Sequence, residues 1–246
     1  MTKVLTLFQD LSRFEKKLYI ASLLTVSGAF LLSRSDDVLT LIASLIGATA
    51  LIFVAKGYVI GQILTVVFSA FYGVISFYFH YYGEMITYLG MTSPIAILAV
   101  ISWLRHPYEE TAEVEVNRMT KRQVIVMLAL TAVVTVIFYY ILKELDNANV
   151  FFSTVSVTTS FLASYMTLFR SPFYAVGYAA NDIVLIMLWV LASMENFSYF
   201  PMVACFTIFF INDSYGFYNW QRMKRRQCRD GNQKKKQQNQ TSLSED

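Results

Sequence analysis

Apolar residues along the chain fall into eight blocks, 18–32, 38–55, 57–79, 85–104, 124–142, 150–169, 173–193 and 199–220, separated by polar or charged breaks. At about 1.5 Å per helical residue, most of these blocks reach across the roughly 30 Å hydrocarbon core of a bilayer, and the first is short for it. Backbone groups in lipid must be satisfied within their own segment, so each block is predicted as a helix. Ahead of them, Leu5, Phe8, Leu11 and Phe14 recur every three residues among Asp10, Arg13 and Glu15. That spacing predicts a short amphipathic helix on the membrane surface over residues 1–17, with a frayed terminus as the alternative. A cleavable leader is the rival reading of block 18–32, but its flank is long and acidic and no small-x-small site follows.

The charges between blocks sort by side. Lys16, Lys17, Lys56, Arg105, Arg118, Lys121, Arg122, Arg170 and the C-terminal cluster fall on one side, and Asp36, Asp37, Glu84, Glu144, Asp146 and Glu195 on the other, with Arg34 and Lys143 as exceptions. Because Lys and Arg near helix ends favour the cytoplasm, eight spans with both termini cytoplasmic are expected. The whole is an all-α polytopic membrane protein. Composition agrees, with 56% apolar, 16% aromatic and 15% charged residues among 246. The net charge of +3 resides at helix ends and in the tail, so it implies a lipid bilayer and no nucleic-acid partner. Cys205 lies within a block and Cys228 in the tail, which places them in different media and excludes a disulfide between them. His80 and His106 are isolated, so no metal or cofactor is expected.

Two halves of the chain resemble each other. Lys56-Gly57 stands between the first two helices of one half, which ends in Trp103-Leu104-Arg105; Arg170-Ser171 stands at the same place in the other, which ends in Trp220-Gln221-Arg222. One helix, 124–142, lies between them, so both triplets point the same way. The expected organisation is one N-terminal helix plus a 3+1+3 parallel repeat. Residues 1–36 hold the N-terminal segment and extra helix, 37–104 the first three-helix repeat, 105–143 a cytoplasmic loop and linker helix, and 144–220 the second repeat. Residues 221–246, rich in Gln, Lys, Asn and Ser, are expected to form a disordered cytoplasmic tail.

Polar residues inside apolar helices are costly in lipid and face a bundle interior or a cavity. Helical spacing puts Thr65, Ser69, Tyr72 and Ser76 on one stripe with Gln62 near its end, and Tyr178, Asp182 and Trp189 on another, beside Tyr174 and Asn181. Glu84, Tyr88 and Thr92 make a third. On the last block Asn212, Tyr215, Gly216 and Asn219 form one strip and Asp213, Phe217 and Trp220 the next. A cavity lined by Gln62, Tyr72, Tyr178, Asn181, Asp182, Trp189, Asn212, Asp213, Tyr215 and Asn219 would suit a flat heteroaromatic ligand carrying hydroxyls. Ser69, Ser76 and the Ser153, Ser156, Ser160 stripe read instead as helix-packing residues, and Trp103 and Trp220 as interfacial anchors. No phosphate loop, Ser-His-Asp set, zinc motif or aspartyl-protease setting is present, so no catalytic residue is assigned and the chain reads as a non-enzyme.

The segment Tyr215-Gly216-Phe217-Tyr218-Asn219-Trp220, together with Lys56-Gly57, Tyr82-Gly83-Glu84 and Arg170, resembles the PnuC family of bacterial nicotinamide riboside transporters over residues 37–222. The resemblance implies a fold related to SWEET sugar transporters, a homotrimer in the bacterial inner membrane, and facilitated diffusion of the riboside followed by trapping through a cytosolic kinase. Many relatives carry a Trp-x-x-Trp pair before the Asn of the seventh block, where Tyr174 and Gly177 stand here. Thiamine or riboflavin is therefore an alternative substrate, and a substrate-capture subunit of an ATP-driven importer an alternative class.

Overall fold

A computed structural model of the chain describes residues 7–33, 38–78, 81–147 and 149–244; Arg34, Asp36, Asp37, His80 and Asp246 lie outside them. Among the described residues eight long helices follow one another: α1 (Arg13–Ser33), α2 (Val38–Ala55), α3 (Val59–Tyr78), α4 (Tyr82–Leu104), α5 (Lys121–Glu144), α6 (Val150–Leu168), α7 (Tyr174–Glu195) and α8 (Phe200–Ser244). Over Thr87–Thr92, α4 widens into a π-helix. Six of the helical stretches are long and apolar enough to cross a membrane by length and composition. The other two expected spans, α1 and α6, fall outside that set. The first turns of α1 carry Arg13, Glu15, Lys16 and Lys17, and Ser and Thr occupy many positions of α6.

Within 7–17, the expected surface helix is interrupted. A helical turn at 7–9 ends before Ser12, whose Oγ accepts from the Glu15 N–H (3.2 Å) while Glu15 Oε2 accepts from the Ser12 N–H (2.6 Å). This capping box starts α1 anew. Burial raises the proton affinity of the Glu15 carboxyl, but the Tyr215 hydroxyl, Ser12 and Lys56 together more than offset it and hold the group below its ordinary value.

The helices close a ring. α2 packs on α3, α3 on α4, α4 on α6, α6 on α7, α7 on α8, and α8 returns to α2. α1 lies outside it against α8 and α2, and α5 lies outside against α6. Two of these contacts, α4 on α6 and α8 on α2, join one three-helix unit to the other, and they are built alike. α2 ends with Gly57 at φ 71° and α6 with Arg170 at φ 54°. In each turn two backbone bonds reach back, Gly57 N to Val54 O and Tyr58 N to Phe53 O, Arg170 N to Thr167 O and Ser171 N to Met166 O. These are Schellman ends, in which a left-handed residue lets the chain bond its own last carbonyls.

Each end is then sealed from the opposite unit. Trp220 Nε1 donates to Val54 O (2.9 Å) and Trp103 Nε1 to Thr167 O (3.0 Å). The residue before each Trp takes the next carbonyl, Asn219 Nδ2 that of Ala55 (2.8 Å) and Ser102 Oγ that of Leu168 (3.0 Å). Both indoles are fully buried, their rings 5.4 Å apart. They are interior clamps between the repeats and not interfacial anchors, because an N–H at this depth needs an acceptor and the facing helix end offers one.

The 105–120 loop straps both ends. Val114 N donates to Gly57 O (3.0 Å) and Asn117 N to Arg170 O (3.0 Å). Arg170 answers with Nε to Glu115 O (3.1 Å) and a terminal nitrogen to Ser102 Oγ (3.1 Å). Burial pulls its guanidinium below the ordinary value, partly offset by Glu115. The tail expected to be disordered instead continues α8 through Ser244. Its Gln227 side chain accepts from Val116 N (2.8 Å) and donates to Val114 O (3.1 Å), Arg226 pairs with Glu113, and Tyr108 donates to Asp230 (3.0 Å). A helix already nucleated in the membrane extends through Lys, Arg and Gln at little cost, and the loop gives it partners.

Two outcomes are expected. Trp103→Ala and Trp220→Ala should cost similar amounts, about 3–5 kcal/mol each by thermal unfolding in detergent; a harmless change at either position would contradict the equivalence of the two seams. Truncation after Gly231 should leave stability unchanged, whereas truncation after Arg222 should speed hydrogen exchange at Val116, whose acceptor Gln227 Oε1 it removes.

Candidate functional site

Inside the ring lies a cavity of about 50 Å³ lined from α2, α3, α4, α7 and α8. Its wall on α2 is made of Gly47, Ala50, Leu51 and Val54. A Cβ on Gly47 would come within 2.3 Å of the Phe209 ring and 3.0 Å of Phe68, so the bare glycine lets both phenyl groups close over the space. Tyr88 and Tyr178 add two more rings.

The polar groups converge from four helices. On α7, Asn181 Oδ1 accepts from Ser156 Oγ (3.1 Å) and Thr159 Oγ1 (3.0 Å), which leaves its amide N–H groups for the cavity side. Tyr178 is held by Ser164 at 3.2 Å. Asp182 is 4% exposed, its Oδ2 has no hydrogen-bond partner, and the carboxyl of Asp213 on α8 adjoins it. Gln62 on α3 and the unpartnered Thr92 hydroxyl on α4 complete the set. Thr65 and Ser69 also line the wall but donate to carbonyls of their own helix, at 2.9 and 2.7 Å. Among the described residues no Lys or Arg lines the cavity. It can therefore receive hydrogen-bond donors and positive charge, and an anion would be unpaired there.

Aromatic side chains close both ends. Toward the end of the ring that carries Glu84 and Glu195, Trp189 Nε1 donates to the Tyr72 hydroxyl (3.1 Å), and the Tyr72 ring packs on Tyr88, Phe68 and Phe206 at 4.3, 5.6 and 5.6 Å. Toward the basic end, Tyr174 meets Trp220 at 4.9 Å, with Trp103 behind.

Of the residues assigned from sequence, Gln62, Tyr178, Asn181, Asp182 and Asp213 line this cavity. Tyr72 and Trp189 stand above it in the acidic-end plug. Asn212, Tyr215 and Asn219 turn away. Asn212 donates to Ser22 of α1 (3.0 Å) and to Ile208 O, Tyr215 to Glu15 (2.7 Å), and Asn219 to Ala55 O. The helical strip they share faces α1 and the α2 end, and the neighbouring strip bearing Asp213 faces inward. Adjacent strips lie about 100° apart, and spacing alone does not say which one an extra helix will cover. Sequence reasoning did not select Gly47, Phe68, Phe209, Tyr88 or Thr92. Tyr88 and Thr92 carried a signal in their stripe with Glu84, but a Gly or Phe in an apolar block carries none.

A polar cavity shut at both ends by aromatic groups, inside a ring of membrane helices built from two equivalent halves, defines a membrane transporter for a small polar molecule. The nicotinamide mononucleotide transporter family matches residues 37–222, and the chain belongs to it. That match begins after α1 and ends two residues past Trp220. The nicotinamide riboside transporter PnuC of Neisseria mucosa is 24% identical over 225 residues, covering 89% of this chain and 85% of its own. A crystal structure of the vitamin B3 transporter PnuC superposes with a TM-score of 0.77 at 24% identity, covering 90% of this chain and 96% of that one, and so shares the fold.

Asn212→Ala and Tyr215→Phe should each lower thermal stability by about 0.5–1.5 kcal/mol through loss of the α1 contacts, with transport KM unchanged. A raised KM with unchanged stability would return these side chains to the cavity.

Proposed function

We propose that the chain carries nicotinamide riboside across the bacterial inner membrane by facilitated diffusion, with a cytosolic kinase trapping the product. The observation that carries this reading is the Asp182 and Asp213 carboxyl pair in a cavity without Lys or Arg. The riboside is a planar pyridinium cation with a carboxamide and a ribose. Its charge meets the carboxyls, its ring the faces of Tyr178, Phe68 or Phe209, and its carboxamide the Asn181 amide. The mononucleotide named in the family's description adds a phosphate that no cation here receives, and an unpaired anion in such a space is prohibitive. The name of the Neisseria relative supports the riboside as well. Thiamine, another cationic heterocycle, is the second reading that the same carboxyls admit.

A ligand pocket ordinarily spans roughly 300–1,000 Å³, and at about 50 Å³ this cavity admits a nucleoside only when its walls part. Phe68 and Phe209 at Gly47 are the walls in question, and the two aromatic plugs are the gates that open in turn. In the same reading both termini are cytoplasmic, as the Lys and Arg distribution favours, and the protein works as a homotrimer without a separate ATP-driven partner.

Calorimetric titration of the purified protein with nicotinamide riboside, its neutral dihydropyridine form and the mononucleotide tests the proposal. The riboside should bind at least about tenfold more tightly than either, and Asn181→Ala should weaken it by about tenfold, near 1.4 kcal/mol. Asp182→Asn should erase the preference for the charged ring, and Ser69→Ala should change little. Comparable affinity for riboside and mononucleotide would overturn the reading.

A further inference from the structure

A second unpaired carboxyl lies in the membrane region, outside the cavity. Glu84, on the first turns of α4, is 0% exposed, and neither of its carboxylate oxygens has a hydrogen-bond partner. No Lys or Arg among the described residues forms an ion pair with it. Its position is built. The Gly83 N–H donates to Asn147 Oδ1 (3.1 Å), and a Cβ on Gly83 would lie 2.4 Å from Leu142, so the start of α4 is wedged against the end of α5.

Glu84 is also connected to the cavity. The Ser156 hydroxyl beside it donates to Asn181 Oδ1, one of the cavity's own groups. One turn further along α4 comes Tyr88, which lines the cavity and packs on Tyr72 of the acidic-end plug. Both tyrosines lie within electrostatic reach of the Glu84 carboxyl. The intervening π-helix, Thr87–Thr92, breaks the regular register of α4 between Glu84 and Thr92, and such insertions accompany functional sites. On the facing α3, Ser76 buries another hydroxyl without a partner.

A buried carboxyl one helical turn from a tyrosine ring suits an organic cation, since the carboxylate charge and the ring quadrupole both favour one. We infer that Glu84 forms a second cation site on the acidic-end side of the plug, which a positively charged substrate occupies on its way to or from Asp182. The inference rests on the riboside reading. The Glu84 carboxylate acts on the charged ring rather than on the ribose.

Initial uptake into liposomes holding only the purified protein tests it, with nicotinamide riboside and its neutral dihydropyridine form as the two probes. Glu84→Gln should slow uptake of the cation by about tenfold, the low end of electrostatic focusing, and leave uptake of the neutral form and the calorimetric affinity for the riboside within about twofold. Glu84→Asp, which keeps the charge, should keep the wild-type preference between the probes, and it serves as the test if the Gln variant does not fold. Equal slowing of both probes in Glu84→Gln, no slowing of either, or a lost preference in Glu84→Asp would overturn the cation site alone. A wild-type protein that takes up neither probe would overturn the riboside reading and this inference together.

Discussion

A helix that ends inside a membrane protein leaves carbonyls that only other protein groups can satisfy. Here that constraint is met by exchange. The last carbonyls of α2 are closed by Asn219 and Trp220 of the second unit, and those of α6 by Ser102 and Trp103 of the first. Neither unit is complete alone, and the two indoles meet between them. The left-handed Gly57 and Arg170 close each helix end on itself, and the Val54 and Thr167 carbonyls that accept from them take a second bond from the opposite unit. Arg170 takes a conformation that glycine adopts more readily, and its guanidinium bonds to Glu115 O and Ser102 secure it there.

From these seams follows a difference between the two ends of the molecule. The basic end is cross-braced by backbone bonds from the loop, by the indoles and by the tail helix. At the acidic end the Trp189–Tyr72 side-chain bond and a set of ring contacts hold the plug. Ring contacts of this kind contribute about 0.5–1.5 kcal/mol each beyond their buried area. The cavity between inherits its polarity from α7 and α8 and its shape from α2, α3 and α4. The cavity therefore lies across the two units rather than within either.

The polar groups of the interior divide by partner. Those bonded to their own helix or to a neighbouring helix, such as Ser69, Asn212 and Tyr215, hold the bundle together. Those without partners include Asp182 Oδ2 on α7 and the Thr92 hydroxyl and Glu84 carboxyl on α4. A buried polar group costs free energy until something satisfies it, and a transporter uses that cost by letting the ligand provide the missing partners.

The chain by itself determined which stretches are helical and that three of them recur, because lipid forces every spanning backbone into a helix and the repeat is written in the positions of its basic turns and tryptophans. It also marked Asn181, Asp182 and Asp213 as interior groups, since polar residues in apolar blocks must face protein. What it left open was the direction of each face. Trp103 and Trp220 read as interfacial anchors because a Trp near a basic cluster ordinarily is one, and only the facing helix end shows that their N–H groups reach a carbonyl. Asn212 and Tyr215 share the polarity of Asp213, and the docking of α1 alone decides that they lie outside the cavity. The tail composition signalled disorder, and it is the loop beneath the repeats, far away in sequence, that gives Gln227 and Asp230 their partners. Periodicity along one helix reports that a face is polar, whereas which neighbour covers that face is a property of the packed assembly.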